Sequence, residues 1–73
     1  MKTEYKYIYF IWLKNKPKTS VWHCRNQGSN DLLGEVKWYG PWRQYCFFPE
    51  MATVFNNTCL DDVNHFMSQL KRQ

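Results

Sequence analysis

The three cysteines and two histidines of this 73-residue chain are its candidates for metal binding. A structural or catalytic zinc site needs four ligands, or three ligands and a water molecule. The chain has no Cys-x-x-Cys pair, and the interval between Cys59 and His65 matches no usual metal motif. We therefore predict no metal site and no cofactor at these residues, which are His23, Cys24, Cys46, Cys59 and His65.

Nucleophilic catalysis by a cysteine would require a base close to its thiol. Cys59 stands at the start of a predicted helix, where the helix dipole favours a thiolate, but His65 is more than one turn away. Asp61 and Asp62 are explained as charges at the positive end of the same helix. The three glycines match neither a P-loop nor a dinucleotide-binding pattern. The sequence thus predicts a binding module and not an enzyme.

The segment KWYGPWRQYCFF, residues 37–48, combines aromatic side chains with two cations. The whole chain has a net charge of +4, and 19% of its residues are aromatic. Cations interleaved with rings can contact phosphates and stacked bases together. The same residue types also anchor protein interfaces. An ordinary solvated sheet face is the third alternative.

Cysteine usage and the N-terminal residues indicate where the protein resides. The cysteines are few and odd in number, whereas small secreted domains usually carry an even, dense set. The apolar run 7–13 is too short to span a bilayer, and no small-residue cleavage site follows it. We predict a cytoplasmic protein, in the host cell if a phage encodes it, with no membrane partner.

The chain is short enough to form a single domain, 1–73, which divides into four predicted regions. Short turns make its strands antiparallel neighbours, and a helix must bury its apolar stripe against one face of their sheet. The predicted fold class is therefore α+β, in two layers. A four-stranded antiparallel sheet, three core strands plus an N-terminal strand, packs on one C-terminal helix. The regions are an N-terminal strand with a Lys-rich loop, 1–18; a β-meander, 19–49; a connector, 50–57; and the helix, 58–72.

The last region has the clearest periodicity. Its apolar residues recur at helical spacing and form one stripe. Thr58 followed by Asp61 matches a capping box, and Lys71 and Arg72 suit the negative end of the helix dipole. The stripe consists of Leu60, Val63, Phe66, Met67 and Leu70.

Two turn features bear on the sheet. Pro41 fits the second position of a turn spanning 40–43, and Gly34 indicates a bulge or a close approach of two strands. With the fourth strand starting at Trp42, alternation directs Trp38 and Trp42 toward the helix, with Cys46 and Phe48.

The opposite face of the predicted sheet collects cations and rings, with Glu35 as its one acid. An alternative is that the N-terminal strand, 5–13, folds over this face. The lysines of the loop after that strand are candidate phosphate contacts, with a solvated linker as the alternative. The candidate binding residues are His23, Arg25, Lys37, Tyr39, Arg43, Tyr45, Phe47, Lys14, Lys16 and Lys18.

The stretch LLGEVKWYGPWRQYCFFPE, followed by TVFNNTCLDDVNHFM, resembles a small family of uncharacterised proteins from phages, prophages and mobile elements. The resemblance covers about residues 19–70 and leaves the first 18 outside. The resemblance implies a phage or mobile-element protein. Because the family has no assigned activity, the resemblance assigns no functional role to any residue of this chain. It rests on Trp38, Tyr39, Trp42, Arg43, Tyr45, Cys46, Phe47, Phe48 and Pro49, then Thr53, Phe55 and Cys59.

Three strands followed by a helix are also similar in architecture to ethylene-response-factor-type domains and to the arm-binding domains of integrases. Those domains lay a sheet in the major groove of DNA, and Arg25, Lys37 and Arg43 match their readers by sheet position only. Our first hypothesis is therefore a binding protein of phage or mobile-element type that engages nucleic acid. The second is an inhibitor or adaptor that binds a host or phage protein and dimerises through its N-terminal strand. A structural part of a virion is the third.

Overall fold

Four antiparallel strands and one helix form two layers, which confirms the predicted α+β fold. A computed structural model describes residues 1–70 of the chain. The strands lie in the sheet in chain order, so each pairs with the next along the sequence. The elements are β1, Ile8–Asn15; β2, Ser20–Asn26; β3, Leu32–Tyr39; a 3-10 turn, Gly40–Trp42; β4, Gln44–Pro49; and α1, Asn57–Ser68.

The core lies between α1 and one face of the sheet and is centred on Phe66. This ring is fully buried, stacks on Phe10 with centroids 3.9 Å apart, and meets Trp22 edge-on at 5.0 Å. Ring pairs of this kind stabilise a fold by about 0.5–1.5 kcal/mol each beyond the area they bury. Phe66 therefore holds α1 against both β1 and β2.

The predicted apolar stripe of α1 is confirmed at Val63 and Phe66, which are buried. Leu60 is half-exposed, because Cys59, one turn before Val63, occupies the core position at the start of the helix. Lys71 and Arg72, which the prediction placed at the helix end, lie outside the described residues.

The predicted capping box does not form, because α1 begins at Asn57, before Thr58. Asn56 is the N-cap, and its side-chain oxygen accepts a hydrogen bond from the backbone N–H of Cys59 at 2.8 Å. Asparagine is among the preferred N-cap residues because its short side chain reaches this otherwise unpaired donor.

The N-terminal strand extends the sheet beside β2 and does not fold over the face that points away from α1. It is shorter than the predicted 5–13 at its start, since the chain reverses before Ile8. The backbone N–H of Phe10 donates to the carbonyl of Thr3 at 2.8 Å, and Tyr5 turns into the core. The Tyr5 hydroxyl lies 2.8 Å from Nδ1 of His65, which ties this segment to α1.

The side chains of β4 face the opposite way from the prediction. Tyr39 pairs with Gln44, so the turn between β3 and β4 holds four residues, and Arg43 ends it in the left-handed conformation with φ 53°. The predicted turn 40–43 is confirmed, but β4 starts after it and not at Trp42. Because Gln44 pairs with Tyr39, the residues Gln44, Cys46 and Phe48 share the face of Tyr39, and the two faces of β4 are exchanged relative to the prediction.

Tyr45 and Phe47 consequently pack against the core, where Phe47 lies opposite Val36. Cys46 and Phe48, predicted to face the helix, point away from it. The predicted assignment of the β4 side chains to the two faces was therefore wrong, and each of these residues lies on the face opposite to the predicted one.

Gly34 marks both a bulge and a close approach, as predicted. Cys24 pairs with Gly34 and Arg25 pairs with Leu32, so β3 has one extra residue, Leu33. Leu33 packs against the core, although strict alternation would place it on the opposite face. A Cβ atom on Gly34 would lie 2.7 Å from the carbonyl oxygen of Phe48. Within residues 1–70, no helix combines the length and apolar content that crossing a bilayer requires.

Candidate nucleic-acid interface

The sheet face that points away from α1 carries the candidate interface, and we call it the free face. Strand register defines its members, because residues paired across neighbouring strands lie on the same side of the sheet. In β1 and β2 the pairs are Tyr9 with Arg25 and Ile11 with His23. Adding β3 and β4, the free face consists of Tyr9, Ile11, His23, Arg25, Leu32, Glu35, Lys37, Tyr39, Gln44, Cys46 and Phe48.

Glu35, the acid on the free face, is held between two basic side chains. Its Oε2 lies 3.6 Å from Nε2 of His23, and its Oε1 lies 3.9 Å from Nζ of Lys37. Exposed pairs at these distances contribute little to stability, about 0–1 kcal/mol. The effect of Lys37 is electrostatic, since its charge offsets the negative charge that would repel a phosphate from the centre of the face.

A row of aromatic rings lies beside these charges. Tyr39 meets the Trp42 ring edge-on at 5.1 Å and the Phe48 ring at 5.9 Å. The ammonium group of Lys37 sits over Phe48, 4.7 Å from the ring centroid. Trp42 is 66% exposed, so its indole is available to a partner. Nucleic-acid bases stack on exposed rings at about 1–3 kcal/mol per base.

Arg25 and Tyr9 sit at the other end of the free face, next to the loop between β2 and β3. The Arg25 guanidinium donates to the carbonyl of Asn30 at 2.9 Å, and the Tyr9 hydroxyl donates to the Asn30 side-chain oxygen at 2.7 Å. Asn30 adopts a positive φ of 64°, which asparagine tolerates better than most residues. These bonds orient the guanidinium while leaving it other donors for a partner.

Four of the ten predicted binding residues lie together on the free face: His23, Arg25, Lys37 and Tyr39. Tyr45 and Phe47 do not, because the register of β4 turns them toward the core. Arg43 lies in the turn and lines a cleft on the helix side of the sheet. These last three placements correct the prediction.

The three predicted lysines lie at one end of the sheet, which we call the basic end. Lys14 pairs with Val21 at the end of β1, and Lys16 and Lys18 belong to the β1–β2 loop. Alternating strand directions put this loop at the same end as the β3–β4 turn. Neither 12–22 nor 37–49 contains an acidic residue, whereas Asp31 and Glu50 lie at the opposite end.

Sequence reasoning missed several residues that the structure adds to this surface, which are Tyr9, Ile11, Cys46, Phe48 and the neighbouring Trp42. An even number of residues between Tyr39 and its partner Gln44 assigns Phe48 to the free face. A four-residue turn at 40–43 was predicted, so counting from its ends would have supplied that signal. Among residues 1–70, no three His, Cys, Asp or Glu side chains cluster as a metal site would require.

Comparison with known proteins links the chain to a phage. The chain is 29% identical over 69 residues to the "Uncharacterized 9.3 kDa protein" of Acholeplasma phage L2, and the match covers 93% of this chain and 88% of that protein. It therefore includes most of the first 18 residues, which the predicted resemblance left outside. No family model matches the chain. No solved structure matches it. The similarity supports a phage-related small protein and does not confirm the aromatic segment as a family motif.

Proposed function

We propose that this phage-related protein binds nucleic acid through its free face and basic end, without catalysing a reaction. The observation that carries the proposal is the free face itself. It joins Arg25 and Lys37 to the rings of Tyr39, Phe48 and the neighbouring Trp42. Guanidinium and ammonium groups suit phosphates, and the rings suit bases.

The charge distribution supports the same partner. The net charge of +4 is uneven, because the basic end adds Lys14, Lys16 and Lys18 where no acidic residue is near in sequence. The charge of Glu35 is offset by Lys37, whose Nζ lies 3.9 Å away. A polyanion approaching the free face would meet a positive field that continues past the β1–β2 loop.

The proposal is tested by fluorescence anisotropy with a labelled duplex and a labelled single strand, each titrated over a salt series. We expect binding in the micromolar range or tighter at low salt, weakening steeply as salt rises. Three to five phosphate contacts would give a slope of log K against log salt of about −2 to −4. Absence of binding to both oligonucleotides at low salt would refute the proposal.

A second candidate function, binding of a protein strand, is favoured by the outer edge of β1. Ile11, Trp12 and Leu13 follow one another there and are 44–52% exposed. At Tyr9 the backbone edge of β1 is paired with Glu4 of the N-terminal segment. Beyond Phe10, no strand among the described residues pairs with this edge. An open apolar edge can accept a strand from another molecule or from a second copy.

Size-exclusion chromatography with light scattering and a host-lysate pull-down test this second candidate. A dimer that Trp12→Lys converts to a monomer, or a captured protein that the same change releases, would support it. A wild-type monomer that captures no protein would argue against it. The opposing feature is the irregularity between Trp12 and Lys14, since a bulge and an edge lysine both disfavour strand addition.

A further inference from the structure

A cleft of about 350 Å³ lies on the other side of the molecule, between the C-terminal half of α1 and the β3–β4 turn. Its volume falls at the lower end of the range for small-molecule sites. One wall is supplied by the turn and its flanking strands and the other by α1. The lining residues are Trp38, Arg43, Gln44, Tyr45, Asn64, Met67, Ser68 and Leu70.

The aromatic wall of the cleft is fixed in place. Trp38 meets Tyr45 edge-on, with ring centroids 5.6 Å apart and planes at 87°. The Tyr45 hydroxyl accepts a hydrogen bond from the backbone N–H of Ser20 at 3.1 Å, which orients its ring. A rigid wall of this type binds a flat ring without losing much side-chain entropy.

Polar groups around that wall are available to a ligand. Throughout residues 1–70, the side chains of Arg43 and Asn64 form no hydrogen bond with the protein. The Ser68 hydroxyl donates to the carbonyl of His65 at 2.6 Å, which leaves its oxygen lone pairs as acceptors. The cleft thus offers one cation, one amide and an acceptor around an aromatic wall.

Arg43 adopts a backbone conformation that is unfavourable for a residue with a side chain. Its backbone is left-handed, with φ 53°, and it closes the turn by donating its N–H to the carbonyl of Gly40 at 3.0 Å. Glycine would adopt this conformation without strain, and residues held in such conformations concentrate at ligand sites. The turn brings the Arg43 side chain to the cleft as its charged lining residue.

We propose that this cleft binds a nucleoside monophosphate, with the base against Trp38 and Tyr45 and the phosphate on Arg43. The amide of Asn64 supplies a hydrogen-bond donor and an acceptor for the edge of the base. The guanidinium binds the phosphate through paired N–H donors, a geometry that an ammonium group cannot reproduce. This site is separate from the free face, so it does not depend on the proposed function.

The test is an NMR titration of the full-length, ¹⁵N-labelled protein with AMP, adenosine and inorganic phosphate in parallel. AMP is expected to give saturable shifts at the backbone amides of Arg43 and Asn64 and at the indole N–H of Trp38. Adenosine and phosphate should each bind about tenfold more weakly than AMP, since each lacks one of the two recognised groups. Arg43→Gln should weaken AMP about tenfold, which is the scale of a charged bidentate contact.

Lys6→Gln is the charge-matched control, because Lys6 lies over the Tyr7 ring, away from the cleft residues. It should leave AMP affinity unchanged.

Arg43→Gly guards against misfolding, since it is expected to fold at least as stably as the wild type while binding AMP as weakly as Arg43→Gln. The inference is overturned if millimolar AMP gives no saturable shifts, if phosphate binds as tightly as AMP, if the shifts map to the free face, or if both Arg43 variants keep wild-type affinity.

Discussion

Lys37 of β3 lies directly opposite Cys46 of β4, and this pairing decides which rings reach the free face. With this register, Phe48 lies beside Lys37, whose ammonium group sits 4.7 Å from the ring centroid. Phe47 points the other way and meets Phe55 edge-on at 5.3 Å. The same register places Tyr45 against Trp38 in the cleft. One pairing therefore sorts β4 between the two proposed sites.

Gly34→Ala should destabilise the protein by about 1–3 kcal/mol, because the new methyl group would meet a backbone carbonyl oxygen of the paired strand β4. Its Cβ would lie 2.7 Å from the Phe48 carbonyl oxygen and 2.7 Å from the Phe47 ring. Gly40→Ala is the control, since no atom lies within 4 Å of a Cβ at that position. Urea denaturation of both variants measures the difference, and equal stabilities would contradict the close approach of β3 and β4.

Arg43→Gly should stabilise the fold by about 1 kcal/mol, because it removes a side chain from a left-handed backbone position. The flexible glycine also raises the entropy of the unfolded chain, which limits the gain. Arg43→Ala loses the same side chain but keeps the Cβ atom, so we expect no comparable gain. Thermal melts of the three proteins are sufficient, and a lower melting temperature for Arg43→Gly would count against the strained turn.

Cys24 should make the protein lose stability at alkaline pH. Burial, with a smaller effect from nearby Cys59, raises the pKa of the Cys24 thiol from 9.0 to about 12. The unfolded chain then releases this proton at lower pH than the folded chain. The contribution of the Cys24 thiol to the free energy of unfolding is therefore fully present below pH 9. It is lost as the pH rises toward 12, by up to about 1.4 kcal/mol per pH unit.

Urea denaturation at several pH values checks this, with Cys24→Ala as the informative variant. Its stability at neutral pH will differ from wild type, so the comparison is between slopes above pH 9. We expect a shallower slope for Cys24→Ala and a wild-type slope for Cys46→Ala, whose thiol lies partly exposed on the free face. Identical slopes in all three proteins would refute the assignment to Cys24.

Tyr5→Phe should cost about 0.5–1.5 kcal/mol, because it removes the hydroxyl that joins the N-terminal segment to α1 while keeping the buried ring. That hydroxyl lies 2.8 Å from Nδ1 of His65 and 3.5 Å from Nε2 of Gln69. Tyr7→Phe is the matched control, since Tyr7 is exposed and its hydroxyl bonds to no residue in 1–70. Chemical denaturation compares them, and a loss no larger for Tyr5→Phe than for Tyr7→Phe would show that the hydroxyl does not hold this segment.

Local patterns predicted most of the fold. The 3.6-residue period identified α1 and its buried Val63 and Phe66, and Pro41 marked a turn whose hydrogen bond joins Arg43 to Gly40. Gly34 indicated the close approach that its neighbours confirm. These features depend on a few adjacent residues, so the sequence displays them directly.

Features that depend on pairing between distant residues were not predictable in the same way. Both alternating sets of β4 contain large rings, so composition did not distinguish the core set from the free set. The choice follows from the exact start of β4 after Arg43, which a left-handed backbone determines. Leu33 departs from strict alternation for a related reason, because the bulge opposite Cys24 and Arg25 interrupts the pairing. The basic end was visible as a lysine run, but its position relative to the free face required the topology.

The most direct test of nucleic-acid binding through the free face compares two double variants that remove the same charge. Arg25→Gln with Lys37→Gln alters the free face, whereas Lys2→Gln with Lys6→Gln alters lysines that lie over Tyr5 and Tyr7. In the salt-dependent anisotropy titration, we expect the free-face variant to weaken binding and to reduce the magnitude of the salt slope by about 2. The control variant should keep the wild-type slope. Equal losses in both variants, or none in either, would contradict binding at the free face.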